Sequence, residues 1–196
     1  MLTKQEMMDA IKNRVEQCFS CPLSNFRTNT VLGEGDLDAP IMFVGEGPGA
    51  DEDKTGRPFV GRAGQLLTKI LESVEIKREQ VYICNVVKCR PPGNRVPSKE
   101  EQRACAHFLL GQIAVINPQI IVPLGSTALG FFMGKPVSIG EYRGTEIKWK
   151  GNKTLFPMFH PSFLLRNPSR AKGSPKDLTW RDIKKIRSYL DEYKRR

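Results

Sequence analysis

Four short apolar runs punctuate the chain: IMFVGE at 41–46, VYICNVV at 81–87, IIVPLG at 120–125 and TLFPMFH at 154–160. Runs this short and this continuous predict strands buried on both faces. Between them the apolar positions change to helical spacing. One such pattern covers 64–74 and another covers 98–116, which opens on Ser98-Lys99-Glu100-Glu101 with the spacing of a capping box; a shorter one follows Gly125. Strands alternating with helices predict an α/β protein with a mainly parallel sheet covered on both faces. Residues 142–154, YRGTEIKWKGNKT, read as a hairpin or excursion before the fourth strand, and 178–193 as a basic terminal helix. There is no internal repeat or low-complexity linker, and 196 residues suit one domain.

This pattern also points to where chemistry belongs. In open parallel sheets, ligands bind beyond the carboxyl ends of the strands. Those ends carry Glu46 and Gly47, Asn85, Gly125 and Ser126, and His160.

Charge narrows the class of ligand. Lys and Arg number 31 against 21 Asp and Glu, a formal balance of +10 that favours a polyanionic partner. The longest apolar stretch, 120–134, is broken by Pro123 and by glycines and is too short to span a bilayer. Residues 1–18 set their apolar positions at helical spacing among charges, unlike a secretion signal. A cytoplasmic protein without a membrane partner is expected. Thiols stay reduced there, so the five cysteines are candidates for metal ligation or the core. Cys18 and Cys21 form a C-x2-C pair, and Cys89 and Cys105 are separated by fifteen intervening residues. Together they make a plausible four-thiolate site whose spacing suits zinc or an iron-sulfur cluster alike. Cys84, inside the second apolar run, reads as a core residue.

The segment GEGPGADEDKTGRPFVGRAG, residues 45–64, invites a phosphate-loop reading and fails it. Asp53 precedes Lys54-Thr55 where a phosphate loop has glycine, and Gly45-x-Gly47-x-Gly49 lacks the dinucleotide-binding spacing. The carboxylates at 51–53 would also repel a phosphate. What remains is a glycine-rich turn that lets backbone approach a flat neutral ligand, followed by a loop presenting Phe59.

Taken in order, the C-x2-C pair, GEGPGADEDKTGRPFVGRAG, NVVKCRPPGNR and HPSFLLR closely resemble the family 4 uracil-DNA glycosylases, the iron-sulfur type. The resemblance runs from Cys18 to Arg166. It implies a three-layer α/β/α sandwich with a four-stranded parallel sheet, a structural [4Fe-4S] cluster, and excision of uracil from single- or double-stranded DNA by a monomer. Carried across residue by residue, it implies cluster ligation by Cys18, Cys21, Cys89 and Cys105. Gly45, Glu46 and Gly47 would line the uracil pocket, Phe59 would stack on the base, Asn85 would read its edge and His160 would assist its departure. Ser162, Leu164, Leu165 and Arg166 would meet DNA, the leucines as an apolar tip that fills the space of the flipped nucleotide.

Some relatives place an aspartate where this chain has Gly47, so the expected water-handling carboxylates are Glu46, Glu52 and Asp53. A related class traps DNA through a histidine in a basic insertion. Residues 88–98 contain none, so turnover without a covalent adduct is expected.

Overall fold

The computed structural model describes residues 2–195. In chain order its elements are α1 (Lys4–Glu16), β1 (Glu34–Gly35), β2 (Ile41–Gly45), α2 (Ala50–Thr55), α3 (Arg62–Glu72), β3 (Tyr82–Asn85), α4 (Lys99–Ile116), β4 (Ile120–Pro123), α5 (Ser126–Met133), α6 (Ile139–Tyr142), β5 (Ile147–Trp149), β6 (Lys153–Leu155), α7 (Pro161–Arg166) and α8 (Pro175–Lys194). The capping box at Ser98 forms as the sequence suggests. Ser98 Oγ accepts from the Glu101 N–H at 3.2 Å, and Glu101 Oε2 accepts from the Ser98 N–H at 2.7 Å.

The sheet has six strands in the order β1-β3-β2-β4-β6-β5, which corrects the expected four-stranded parallel sheet. The inner pairings β3–β2, β2–β4 and β4–β6 are parallel, whereas β1 and β5 join the edges antiparallel, making the sheet mixed. Both extra strands are two or three residues long and partly exposed, so neither announces itself as an apolar run. β5 and β6 form a hairpin, but its second arm is the fourth strand itself, which corrects the expectation of a hairpin or excursion lying wholly before that strand.

Side chains alternate across the inner strands as the two-residue period requires. Met42, Val44, Cys84 and Ile121 pack on one face against Leu109 and Ile113 of α4 and Leu129 of α5. Ile41, Phe43, Ile83 and Val122 pack on the other against Leu67 and Leu71 of α3 and Ile183, Ile186 and Leu190 of α8. Strands covered on both sides explain why the apolar runs are continuous. No helix among the described residues is long and apolar enough to cross a membrane.

Leu71 is fully buried between α3 and the sheet. Leu71→Ala is expected to lower unfolding free energy by about 2–5 kcal/mol in a denaturant titration, the range for leucine truncation in a packed core.

Candidate active site

The parallel strands bring their carboxyl ends to one edge. Gly45 of β2 stands in register with Asn85 of β3, and the Val86 N–H donates to the Gly45 carbonyl at 2.9 Å. Across β4, Gly125 packs against His160: a Cβ built on Gly125 would lie 3.1 Å from that of His160. Glu46, Gly47, Phe59, Asn85, His160, Ser162 and Arg166 thereby line a single cavity of about 350 Å³.

Gly45 has a steric reason to be glycine. A Cβ there would run into both the Asn85 Oδ1 and the Phe59 ring, so the missing side chain is what lets strand, amide and aromatic converge. Phe59 adopts a left-handed backbone, φ 52°, unusual for a residue with a side chain. Its surroundings hold it there. Arg78 donates to the carbonyls of Pro58 and Phe59 at 2.8 and 3.0 Å, and a Cβ at Gly64 would collide with the Phe59 backbone. The Phe59 and His160 rings lie 5.8 Å apart at 37°.

Glu52 and Asp53 both accept hydrogen bonds from backbone, Glu52 from this loop and Asp53 from residues 28–29. Glu52 accepts from the backbone N–H groups of Val60, Gly61 and Gly49 at 2.9, 2.8 and 3.0 Å. Asp53, also buried, accepts from the N–H groups of Thr28 and Asn29 at 2.8 and 3.3 Å. These contacts give both carboxylates a structural role as backbone clamps beside the expectation drawn from their acidity. Glu46 and Glu52 both line the cavity, and of these two Glu46 is the one whose carboxylate has no hydrogen bond or ion pair among the described residues.

Asn85 is 2% exposed, yet its Oδ1 accepts no hydrogen bond. A buried amide oxygen left unpaired is unfavourable, and the residue that carries it lines the cavity. His160 supplies the complementary donor. The Ser162 backbone N–H donates to His160 Nδ1 at 3.1 Å, and Ser162 Oγ lies 2.8 Å from the same nitrogen. A nitrogen that accepts an N–H carries no proton, so the neutral ring holds its proton on Nε2. Burial, with the Arg166 cation adding to it, pushes the His160 pKa down to about 4 from its ordinary 6.5. Between those values the unfolded chain takes up a proton that the folded one refuses. This group therefore leaves stability undiminished above about pH 6.5 and lowers it as pH falls towards 4.

The expected DNA-facing residues divide. Leu164 is 1% exposed and belongs to the core, because α7 turns it inward against its neighbours; Leu165 at 38% is the leucine that reaches the surface. Arg166 is exposed, whereas Ser162 is turned towards His160.

On the α4 side, Cys18, Cys21, Cys89 and Cys105 line one small cavity together with Arg27 and Lys88. Among the described residues no three metal-ligating side chains converge on a position for a single ion. Arg27 donates to Cys89 Sγ at 3.2 Å and to the Cys18 carbonyl at 2.8 Å. Burial pushes the Cys105 thiol up to about 11; it raises Cys89 too, against the opposing pull of Arg27. Cys84 is fully buried on the sheet face and lies outside this cavity. Arg27 and Arg78 lie far in sequence from most of what they hold, so no local motif points to them, and nothing in the sequence marks Lys88 as buried.

A cavity at the switch point of a parallel sheet, built from a base-sized aromatic, an unpaired amide and a neutral imidazole, defines a pocket for a flat polar ring. The comparisons agree with this class: residues 32–184 match the sequence profile of the Uracil DNA glycosylase superfamily. The chain is 58% identical over 191 residues to the "Type-4 uracil-DNA glycosylase" of Thermotoga maritima, spanning 97% of this chain and 98% of that protein. It is 45% identical to the protein of the same description from Sulfurisphaera tokodaii, over 93% and 84% of the two chains. A "DNA polymerase" of Bacillus phage SP01 is 34% identical over 80% of this chain but only 17% of its own length. The chain belongs to the type-4 uracil-DNA glycosylases of this superfamily.

Glu52→Gln replaces one acceptor oxygen with an amide that meets backbone donors. Thermal unfolding is expected to show a loss of about 1–3 kcal/mol, alongside weaker activity. Lost activity at unchanged stability would mark Glu52 as a chemical participant.

Proposed function

We propose the following division of labour for a chain whose family excises uracil in DNA repair. The substrate is a uracil nucleotide in single- or double-stranded DNA, turned out of its stack into the cavity. Phe59 supplies the face on which the base lies, an interaction typically worth about 1–3 kcal/mol for any base. Selection falls to Asn85. Its Oδ1 accepts from uracil N3–H and its amide NH2 donates to O4, whereas cytosine reverses both groups and leaves buried partners unpaired at about 1–3 kcal/mol each. The unpaired Asn85 Oδ1 is the observation that carries this reading.

As the glycosidic bond breaks, the pyrimidine leaves as an anion and the sugar acquires oxocarbenium character. His160 Nε2–H donates to the developing charge on O2, a preorganised interaction typically worth several kcal/mol in the transition state. Glu46 faces the positive sugar and orients the water that completes hydrolysis, giving free uracil and an abasic site. Gly45 and Gly47 form the wall where a side chain would obstruct the base. Leu165 and Arg166 face the DNA, and turnover proceeds without a covalent adduct.

The four cysteines are proposed as ligands to a [4Fe-4S] cluster. They surround one cavity without three converging on a single ion, as suits thiolates bound to separate irons, and Arg27 supplies a cationic donor to a ligand sulfur. When bound, the cluster supplies structural crosslinking between the N-terminal segment and α4. A visible absorption band that bleaches on reduction is expected from iron-loaded protein; a colourless chain with stoichiometric zinc would reject the cluster.

His160→Ala is expected to lower the single-turnover rate of uracil release by about a hundredfold or more, with little change in DNA affinity. Equal losses in rate and affinity would remove His160 from the chemistry. The wild-type contribution of His160 is expected to stay level from about pH 5.5 to about 8, because the ring remains neutral above about 4. A fall in rate with a midpoint near 6.5 that disappears in His160→Ala would contradict this assignment.

A further inference from the structure

Lys88 is a lysine with only 1% of its surface exposed, and among the described residues no carboxylate pairs with it. Its Nζ donates to the Asn85 backbone carbonyl at 2.8 Å. Its own backbone N–H donates to Cys105 Sγ at 3.3 Å. The residue also lines the four-cysteine cavity together with Arg27 and Cys89. One residue therefore touches both the strand end that presents Asn85 and a proposed cluster ligand.

An ammonium held out of water without opposite charge is strongly unfavourable. The groups around Lys88 that become negative on metal binding are the cysteine sulfurs, since a bound metal displaces thiol protons. Four thiolates around a cluster give that side of the protein the anion that no carboxylate provides.

We propose that Lys88 is a positioning residue for uracil recognition, coupling the filled four-cysteine site to the orientation of Asn85. The ammonium fixes the Asn85 carbonyl, and the backbone on either side of that peptide is thereby held in the register that aims the amide into the pocket. This link rests on the reading of Asn85 as base reader and of the cysteines as cluster ligands.

Two experiments test it. In iron-loaded protein, Lys88→Met preserves side-chain length and removes the charge. It is expected to slow uracil release about tenfold or more while DNA affinity stays within about twofold, and to move the cluster midpoint potential to more negative values because a nearby cation is lost. In the wild-type chain, removal of iron by a chelator is expected to raise amide hydrogen exchange across residues 82–88 while α8 remains protected. This second measurement needs no variant to fold. Exchange that is unchanged at 82–88, or that rises equally in α8, overturns the link. Iron-loaded Lys88→Met with wild-type rate and potential overturns it too, leaving the cluster reading intact, whereas a wild-type chain that binds no iron overturns both.

Discussion

The site depends on one close approach: the bare Cα of Gly45 against the Asn85 amide and the Phe59 ring. Three elements far apart in sequence meet there because nothing projects from the strand end. Close approach alone would not hold an aromatic in a left-handed backbone conformation. The buried Glu52 carboxylate gathers the backbone N–H groups of Gly49, ahead of α2, and of Val60 and Gly61, at the end of the Phe59 loop, while Arg78 gathers two carbonyls from its middle. Opposite charges thus close the loop from opposite sides, and Phe59 is fixed before any ligand arrives. Preorganisation of this sort spares the ordering entropy that a mobile loop would lose on binding.

Asn85 and His160 are neutral, while Glu46 and Arg166 line the same cavity with opposite charges. His160 is held without charge by burial and presents a donor on Nε2, since Nδ1 is taken by Ser162. Asn85 presents an acceptor with no internal partner. These are the two hydrogen-bonding polarities that distinguish a neutral imide edge and its departing anion. In the proposed reading, Arg166 and the chain's excess of basic residues attract phosphates without reading sequence. Specificity and affinity are therefore carried by different residues, as is usual where bases are recognised against a polyanionic backbone.

Much of this was legible in the sequence because the signals were local. The first three apolar runs and the Ser98 capping box appear in the structure where spacing put them, whereas the fourth run is strand only over Thr154–Leu155 and continues as irregular chain to His160. Strand ends placed Glu46, Asn85 and His160 at one edge by topology alone. The edge strands β1 and β5 were not legible, being too short and too exposed to leave an apolar pattern. Nor were the roles of Glu52 and Asp53: acidity near a pocket suggests chemistry, and only hydrogen-bond partners reveal a clamp. Leu164 and Leu165 are adjacent in one motif, yet the helix turns one into the core and the other out. Lys88 is the sharpest case, since a lysine in a loop sequence reads as solvated until its burial is seen.

The central claim is that an asparagine amide in a preformed pocket selects uracil for release. Its most direct measurement is the free base liberated, by chromatography, from otherwise identical oligonucleotides carrying uracil or cytosine at one position. The account expects free uracil from the first, none from the second, and loss of the distinction when Asn85 is replaced by Asp, whose protonated carboxyl can pair with either edge. Wild-type protein that loads its metal and binds the oligonucleotide but releases no uracil, or releases both bases alike, would contradict it.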